Sequence, residues 1–198
     1  MAAMVMAFSQ GLETEARTIA LALQRKDPEF LSRLVAQYHY RLLRYLIHLT
    51  ARPELAEDLV QETWLHVLER AAQYNGRSRF EPWIFSIARN LAIDDLRRRM
   101  AVNNPAPPDA ERVLEFAASD TQSPFLAAAK SEDAVRIAAA MGALEPIYRE
   151  ALLLRFQEDL SLEEIAQVAG APVSTVSSRI YRGLAMLRSQ LEGSTHAV

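Results

Sequence analysis

The sequence predicts an all-α protein, with two small helical domains joined by a flexible linker. Apolar residues recur at steps of three and four along most of the chain, and no stretch alternates apolar and polar residues as a half-buried strand does. A proline-containing acidic stretch interrupts the helical pattern. We therefore expect domains at residues 12–100 and 132–192, separated by a linker at 101–131.

The first domain is predicted to contain four helices, whose ends carry local signals. They span residues 12–26, 31–49, 56–71 and 82–99. Pro28 and Pro53 end the first two, because the residue before a proline avoids the helical conformation. Asn75-Gly76 is a strong turn signal, and Pro82 suits the first position of the fourth helix.

The second domain is predicted to end in a helix-turn-helix. Its helices span residues 132–143, 146–157, 162–169 and 173–191. Ser161 and Glu164 have the spacing of a capping box, and Gly170 stands where a tight turn needs a positive φ. The last helix then presents its polar residues to a DNA major groove. The alternative is a generic helical hairpin with a solvated polar face.

Composition excludes several classes of chemistry. The chain has no cysteine, and its four histidines lack metal-ligand spacing. Asp94 and Asp95 are neutralised by the arginines at 97–99, so a metal site is not expected there. No stretch approaches the roughly 18 apolar residues of a membrane span. We expect a cytoplasmic protein with no catalytic residue, no metal, no cofactor and no direct membrane insertion.

Charge is strongly segmented along the chain. Residues 77–99 contain six arginines against three acids, and residues 171–191 contain three arginines and no acid. Residues 53–69 contain five acids and no lysine or arginine. The two basic segments suit contact with nucleic acid. The acidic helix would repel phosphate, so we expect it to face solvent or another protein.

An aromatic and basic loop precedes the fourth helix. Residues 74–83 interleave three aromatic residues with two arginines, a composition that suits stacking on an unpaired base and holding its phosphates. In the helix that follows, Arg89, Asn90 and Arg97 fall on one polar stripe, which we place on the exposed face. The alternative is that Phe80 and Trp83 are core residues and that the stripe is ordinary solvated surface.

The residues resemble a known family. Segments 56–63 and 83–90, with Asp94 and the arginines at 97–99, are similar to region 2 of bacterial RNA polymerase sigma factors. Segments 148–156, 160–166 and 173–180 are similar to region 4. Two such sets joined by a short linker resemble the extracytoplasmic-function (ECF, sigma-70 family) class.

The resemblance implies partners and site residues. The partners are core RNA polymerase, through its β′ clamp and β flap, promoter DNA and an anti-sigma factor that is often membrane-bound. Core polymerase would bind Asp58, Leu59, Gln61 and Glu62. The melted −10 element would contact Tyr74, Asn75, Arg77, Arg79, Phe80, Trp83, Arg89, Asn90, Arg97 and Arg98. The duplex −35 element would contact Ser174, Thr175, Ser177, Ser178, Arg179, Tyr181 and Arg182.

The sequence departs from the family at some positions. Ser177 stands where a basic residue is frequent, and Gly183 where alanine is frequent, so −35 affinity or preference is expected to differ. Asn75 and Arg77 replace an arginine and an acid, which affects base preference at −10. The resemblance implies a subunit that directs promoter-specific initiation of transcription by core RNA polymerase. The alternatives are a stand-alone helix-turn-helix regulator and, with no residue set to support it, a small all-α enzyme.

Overall fold

The computed structural model describes residues 2–101 and 132–195, with side chains from 13 to 99 and from 136 to 192. All regular secondary structure in those ranges is helical, which confirms the all-α prediction. The helices are α1 (Ala2–Arg25), α2 (Pro28–Thr50), α3 (Pro53–Glu69), α4 (Phe80–Ala101), α5 (Glu132–Ala143), α6 (Pro146–Phe156), α7 (Leu162–Ala169) and α8 (Val173–Thr195), with a 3₁₀ turn at Ala71–Gln73. The predicted linker, apart from Ala101, lies outside the described residues.

Local capping explains where the helices begin and end. Asp27 Oδ1 accepts hydrogen bonds from the backbone N–H groups of Glu29 and Phe30, which starts α2. The predicted capping box is confirmed: Ser161 Oγ accepts from the Glu164 N–H at 3.2 Å, and the Glu164 carboxylate accepts from the Ser161 N–H at 2.8 Å. Gly170 ends α7 with φ 59°, as predicted.

Two predicted helix starts are corrected. Helix α1 begins at Ala2, well before residue 12, because the apolar opening of the chain continues the helix. Helix α4 begins at Phe80, which places Pro82 inside the first turn. Proline is tolerated there because N–H groups of the first turn have no partner within the helix.

Helix α1 lies over the loop that leads into α4. At Gly76, φ is 67°, and a Cβ atom would come within 2.8 Å of the Ala16 carbonyl oxygen and the Arg17 Cα. Only glycine allows both this backbone conformation and this approach. Ile19 and Leu23 on the same face of α1 are buried. The loop is therefore held between α1 and the rest of the first module (α1–α4).

Helices α6 and α8 approach each other closely in the second module (α5–α8). Gly183 is buried within α8, and a Cβ atom there would lie 3.2 Å from Leu152 Cδ1 and 3.4 Å from Tyr148 Cβ. An alanine at this position would require the Leu152 side chain to shift by a few tenths of an ångström.

The two modules pack against each other. Helix α2 contacts α6, and α4 contacts α7. One continuous hydrophobic core joins residues of the first module to Leu154, Leu160, Ile165 and Val176 of the second. The sequence pattern treats the modules as separate domains and does not anticipate this contact. Within the described ranges, no helix is long and apolar enough to cross a bilayer.

Candidate nucleic-acid interface

The acidic side of α3 forms an exposed, negatively charged surface of the first module. Asp58 and Gln61 are exposed, and Glu62 is half-buried at its edge. Leu59 is 2% exposed and belongs to the core, which corrects the expectation that it contacts a partner. Leu59 directly follows the exposed Asp58 in the chain, and this step turns its side chain to the buried side of the helix. The remaining three residues form a continuous acidic and polar surface.

Two exposed leucines extend that surface toward the end of α3. Leu65 is 61% exposed, and Leu68 is also exposed. Leu65 follows Gln61 by one helical turn, so the polar and apolar parts lie on one side of the helix. Neither leucine is among the predicted polymerase-binding residues. The sequence indicates the exposure of Leu65, because it falls outside the three- and four-residue spacing of the buried residues of α3.

Helix α8 presents most of the predicted −35 residues to solvent. Its buried side contains Val176, which fixes the orientation of the helix. Tyr181 is 78% exposed. The exposed predicted residues are Ser174, Ser177, Ser178, Tyr181 and Arg182, and the half-buried ones are Thr175 and Arg179. The geometry suits a polar face that reads base edges in a major groove.

The aromatic part of the predicted −10 loop is buried. Tyr74 is 3% exposed and Phe80 is 1% exposed. Their rings lie 5.3 Å apart in an edge-to-face arrangement, and the Tyr74 hydroxyl donates to the Ser78 carbonyl. These two rings are core residues, so the expectation that they stack on an extruded base is corrected for this conformation. Trp83 is half-buried, with its ring 5.1 Å from that of Tyr74.

The polar tip of the loop and the far end of α4 are accessible. Asn75 and Arg77 are exposed, and Asn75 Oδ1 accepts a hydrogen bond from the Arg77 N–H at 3.0 Å. Asn90 is exposed on α4, as predicted. Arg97 and Arg98 are exposed too, and each pairs with an aspartate one turn earlier at 3.6 and 3.8 Å. Exposed pairs of this kind are weak and yield readily to a phosphate.

Arg89 does not face solvent as the stripe on α4 predicts. Its Nε donates to Glu150 Oε1 of the second module at 2.6 Å, and the Tyr45 hydroxyl donates to the same oxygen at 2.8 Å. The Glu150 side chain is 5% exposed. Arg89 is the member of the stripe that contacts a carboxylate of the second module. The sequence pattern cannot show whether a polar residue contacts a carboxylate or water.

Arg79 also reaches the second module. Its Nη1 donates to the Asp159 carbonyl oxygen at 3.1 Å and lies 3.5 Å from the Glu164 carboxylate. Its Nε lies 3.4 Å from Glu81 Oε2 within the first module. Arg79 and Arg89 are therefore both engaged by groups of the second module.

Glu158 forms two further ion pairs between the modules. Its side chain is 2% exposed and accepts from Arg41 Nε at 2.8 Å and from Arg44 Nη2 at 2.9 Å. Burial alone would lower the pKa of Arg41, but the adjacent Glu158 carboxylate raises it. The sequence signal for this contact is Arg44 itself, a charged residue between the apolar positions Leu43 and Tyr45.

Burial and hydrogen bonding shift two further groups near this contact. The pKa of Tyr45 is raised well above its usual value by burial and by the neighbouring Glu150 carboxylate. Burial would raise the pKa of Glu81, but backbone hydrogen bonding, Arg79, the Tyr38 hydroxyl and Arg41 together hold it below 4.5. Tyr45 therefore stays protonated and Glu81 stays charged near neutral pH.

An apolar groove of about 160 Å³ opens between α5, α6 and α8. Its lining includes Ile137, Met141, Leu152, Phe156, Leu184 and Leu187. Phe156 and Leu184 are substantially exposed. The groove is large enough for one or two apolar side chains of a partner protein. Among the residues with described side chains, no three His, Asp or Glu side chains converge on a possible metal position.

Two protein-family models match the chain. Residues 34–102 match Sigma-70 region 2, and residues 134–187 match Sigma-70, region 4. The first match covers α2 to α4, and the second covers most of the second module. The two matches include the acidic helix, the loop before α4 and the helix-turn-helix.

Curated relatives are similar along most of the chain. The ECF RNA polymerase sigma factor SigE of Mycolicibacterium smegmatis is 35% identical over 159 residues, which are 80% of this chain and 60% of that protein. The RNA polymerase sigma-H factor of Pseudomonas aeruginosa is 30% identical over 168 residues, 81% of this chain and 85% of that protein. CarQ of Myxococcus xanthus, an RNA polymerase sigma factor, is 32% identical and covers 80% of this chain and 87% of that protein.

Solved structures share the fold. CnrH in complex with the cytosolic domain of CnrY has a TM-score of 0.64 at 24% identity, covering 89% of this chain and 97% of that chain. The sigma factor RpoE in complex with the anti-sigma factor NepR from Bartonella quintana has a TM-score of 0.61 at 22% identity, covering 81% and 96%.

Proposed function

The chain belongs to the ECF class of the sigma-70 family, and from that premise we propose that it binds core RNA polymerase and directs promoter-specific initiation of transcription. One observation supports this best: the same chain exposes an acidic helix that suits a protein and, on α8, a polar and basic helix that suits DNA. Catalysis would belong to the polymerase. A stand-alone DNA-binding regulator has no evident use for the acidic helix.

The acidic side of α3 is proposed to dock on the β′ clamp. Asp58, Gln61 and Glu62 supply carboxylate and amide groups for a basic partner surface, and Leu65 and Leu68 supply apolar area beside them. Interfaces gain most of their affinity from such a desolvated apolar centre, with polar groups around it. The groove between α5, α6 and α8 is proposed to receive the β flap in the same way.

The promoter is proposed to be read at two places. Helix α8 would contact the −35 duplex through Ser174, Ser177, Ser178, Tyr181 and Arg182. Asn75, Arg77, Asn90, Arg97 and Arg98 would contact the melted −10 element from the accessible surface of the first module. Arg79 and Arg89 are proposed to join them once their contacts with the second module are released.

A protein inhibitor is proposed as a further partner. The neighbour RpoE was solved with the anti-sigma factor NepR, and CnrH with part of CnrY. The exposed apolar surfaces on α3 and in the groove of the second module are suitable contact sites. Such a partner, and the polymerase itself, would be met in the cytoplasm.

The test is transcription with purified components. The protein is mixed with sigma-free bacterial core polymerase and a genomic template, and transcript 5′ ends are sequenced. Defined starts that require the protein and share −35 and −10 motifs support the proposal. If no starts appear and the protein fails to co-migrate with core polymerase, the proposal fails, and tight binding of the isolated protein to a palindromic duplex would favour a stand-alone regulator.

A further inference from the structure

We infer that this protein closes on itself in the absence of partners through a buried carboxylate latch between its modules, and that the closed form engages two promoter-reading arginines, Arg79 and Arg89, and leaves its docking surfaces open. The latch consists of Glu150 and Glu158 of the second module together with Arg41, Arg44 and Arg89 of the first. The inference rests on the proposed function only for what the covered arginines do.

The latch is a built contact rather than a chance meeting of surface charges. The two glutamate side chains are among the most buried charged groups of the described residues. Glu158 receives two arginines at 2.8 and 2.9 Å, and Glu150 receives Arg89 and the Tyr45 hydroxyl at 2.6 and 2.8 Å. Such charge-assisted hydrogen bonds require a fixed geometry on both modules.

Apolar packing supplies the driving force for closure. Leu154, Leu160 and Ile165 are each at most 1% exposed and belong to the core that the modules share. Buried ion pairs add little net free energy, because the desolvation of both charges offsets their attraction. The latch therefore selects one arrangement of the modules, and the apolar contact stabilises it.

Loss of one side of the latch should open the molecule. When Glu150 and Glu158 are removed, the arginines that faced them lose these carboxylate acceptors in the closed form, although Arg41 keeps Glu81 at 3.8 Å, whereas in an open form they are hydrated. The cost falls on the closed form alone. We expect the equilibrium between closed and open forms to move toward the open form by at least about tenfold.

The closed form divides the proposed functional surfaces into two groups. Arg79 and Arg89 are engaged by groups of the second module, so a DNA phosphate competes with a carboxylate or a carbonyl for each. Asp58 and Gln61 on α3 and Arg182 on α8 stay exposed. The closed form can therefore meet polymerase through α3, whereas full use of the melted −10 strand requires opening.

Distance measurement between the modules tests closure without polymerase or promoter. The chain has no cysteine, so Gln73→Cys with Ser189→Cys gives two unique spin-label positions on exposed residues of different modules. We expect one narrow distance distribution for the otherwise unchanged protein. In Glu150→Ala with Glu158→Ala, we expect a longer and broader one.

A matched control separates the latch from charge in general. Glu145→Ala with Glu163→Ala removes two exposed acids from the same module and should leave the distances unchanged. Glu150→Gln with Glu158→Gln, verified by circular dichroism, replaces the alanine variant if that variant unfolds. A broad distribution in the unchanged protein, or distances that stay the same in both latch variants, would overturn the inference.

Binding to single-stranded DNA tests the role of the covered arginines. The probe is a fluorescent mixed-sequence 20-mer, and anisotropy gives its affinity for each full-length variant. We expect the latch variant to bind about tenfold more tightly than the control variant, which carries the same net charge. An opened latch variant with no gain in affinity would retain closure but overturn the role given to Arg79 and Arg89. Failure of the transcription test would leave the distance result intact.

Discussion

Arg89 Nε lies 2.6 Å from Glu150 Oε1, so the helix that carries predicted −10 contacts is joined to the second module by a buried ion pair. The two residues are 61 positions apart in the chain. Their contact therefore reports the packing of whole modules, and its strength can be measured separately from DNA binding.

A double-mutant cycle on Arg89→Ala and Glu150→Ala should give a coupling free energy of about 1–3 kcal/mol in urea unfolding of the full chain. Each single change leaves the other charged group without its ion-pair partner. The summed losses of unfolding free energy in the two single variants therefore exceed the loss in the double variant. The control is Arg97 and Asp94, an exposed pair at 3.6 Å, for which we expect at most about 0.5 kcal/mol. Equal coupling in the two cycles would contradict the burial of the first pair.

Local features of the fold were predictable from the sequence because they depend on neighbouring residues. The capping box at Ser161 and the turn at Gly170 follow from side chains within one helical turn. The burial of Leu59 and of Tyr74, in contrast, depends on how the helices of the whole module pack together. An aromatic residue in a basic loop suits a nucleic acid base and a protein core equally, and the choice is made by α1, which lies over the loop.

The contact between the modules could not be predicted from the pattern of residues, for a related reason. Ser86, Arg89 and Asn90 form a polar stripe whether they meet water or a carboxylate. A module of about 60 residues buries only about 60% of the surface of its unfolded chain, so it gains stability from any further apolar contact. The first module supplies such contact through the shared core, which spacing along the chain does not reveal.

Asp58→Ala with Gln61→Ala should weaken binding to core polymerase by at least about tenfold. Both side chains are exposed, so the midpoint of urea unfolding should stay the same. Binding is measured by competition with a labelled sigma factor for core enzyme. The control is Glu163→Ala, an exposed acid on α7. Unchanged affinity in the double variant would remove α3 from the proposed polymerase interface.

Arg182→Ala should reduce the salt dependence of promoter binding if Arg182 contacts a phosphate. Each phosphate contact releases about one counterion, so the slope of log K against log salt should fall by about one. The measurement is holoenzyme binding to a −35-dependent promoter over a salt series. Arg33→Ala, an exposed arginine of the first module, should leave the slope unchanged. An unchanged slope in Arg182→Ala indicates a base contact or no contact.

Arg149→Ala should destabilise the protein by about 2–3 kcal/mol, because the guanidinium closes the end of α5. It donates to the carbonyl oxygens of Met141, Gly142 and Leu144 at 2.6–3.0 Å, and to that of His48 in the first module at 3.0 Å. Met141 and Gly142 lie in the last turn of α5, where carbonyl oxygens have no i+4 donor within the helix.

Arg149→Lys keeps the charge but lacks the planar set of donors, so it should recover only part of the loss. Urea unfolding of the three proteins gives the comparison. If lysine restored full stability, charge alone would account for the effect, and the set of four carbonyl contacts would have no separate role.

Glu81 should make the fold sensitive to acid. The Tyr38 hydroxyl donates to its carboxylate at 2.9 Å, and Arg79 and Arg41 lie at 3.4 and 3.8 Å. These contacts hold the pKa of Glu81 below 4.5 in the folded protein although burial opposes them. The charged form is thus favoured by folding, so its contribution is fully present above the unfolded pKa and is lost as pH falls through the folded pKa.

Glu81→Gln should therefore be less stable than the unchanged protein at neutral pH and should lose less stability between about pH 6 and about pH 3. The free energy of unfolding is measured in urea across that range. Glu57→Gln, an exposed acid on α3, should follow the unchanged protein closely. Parallel curves for Glu81→Gln and the unchanged protein would show that the ion pairs of Glu81 contribute no acid-dependent stability.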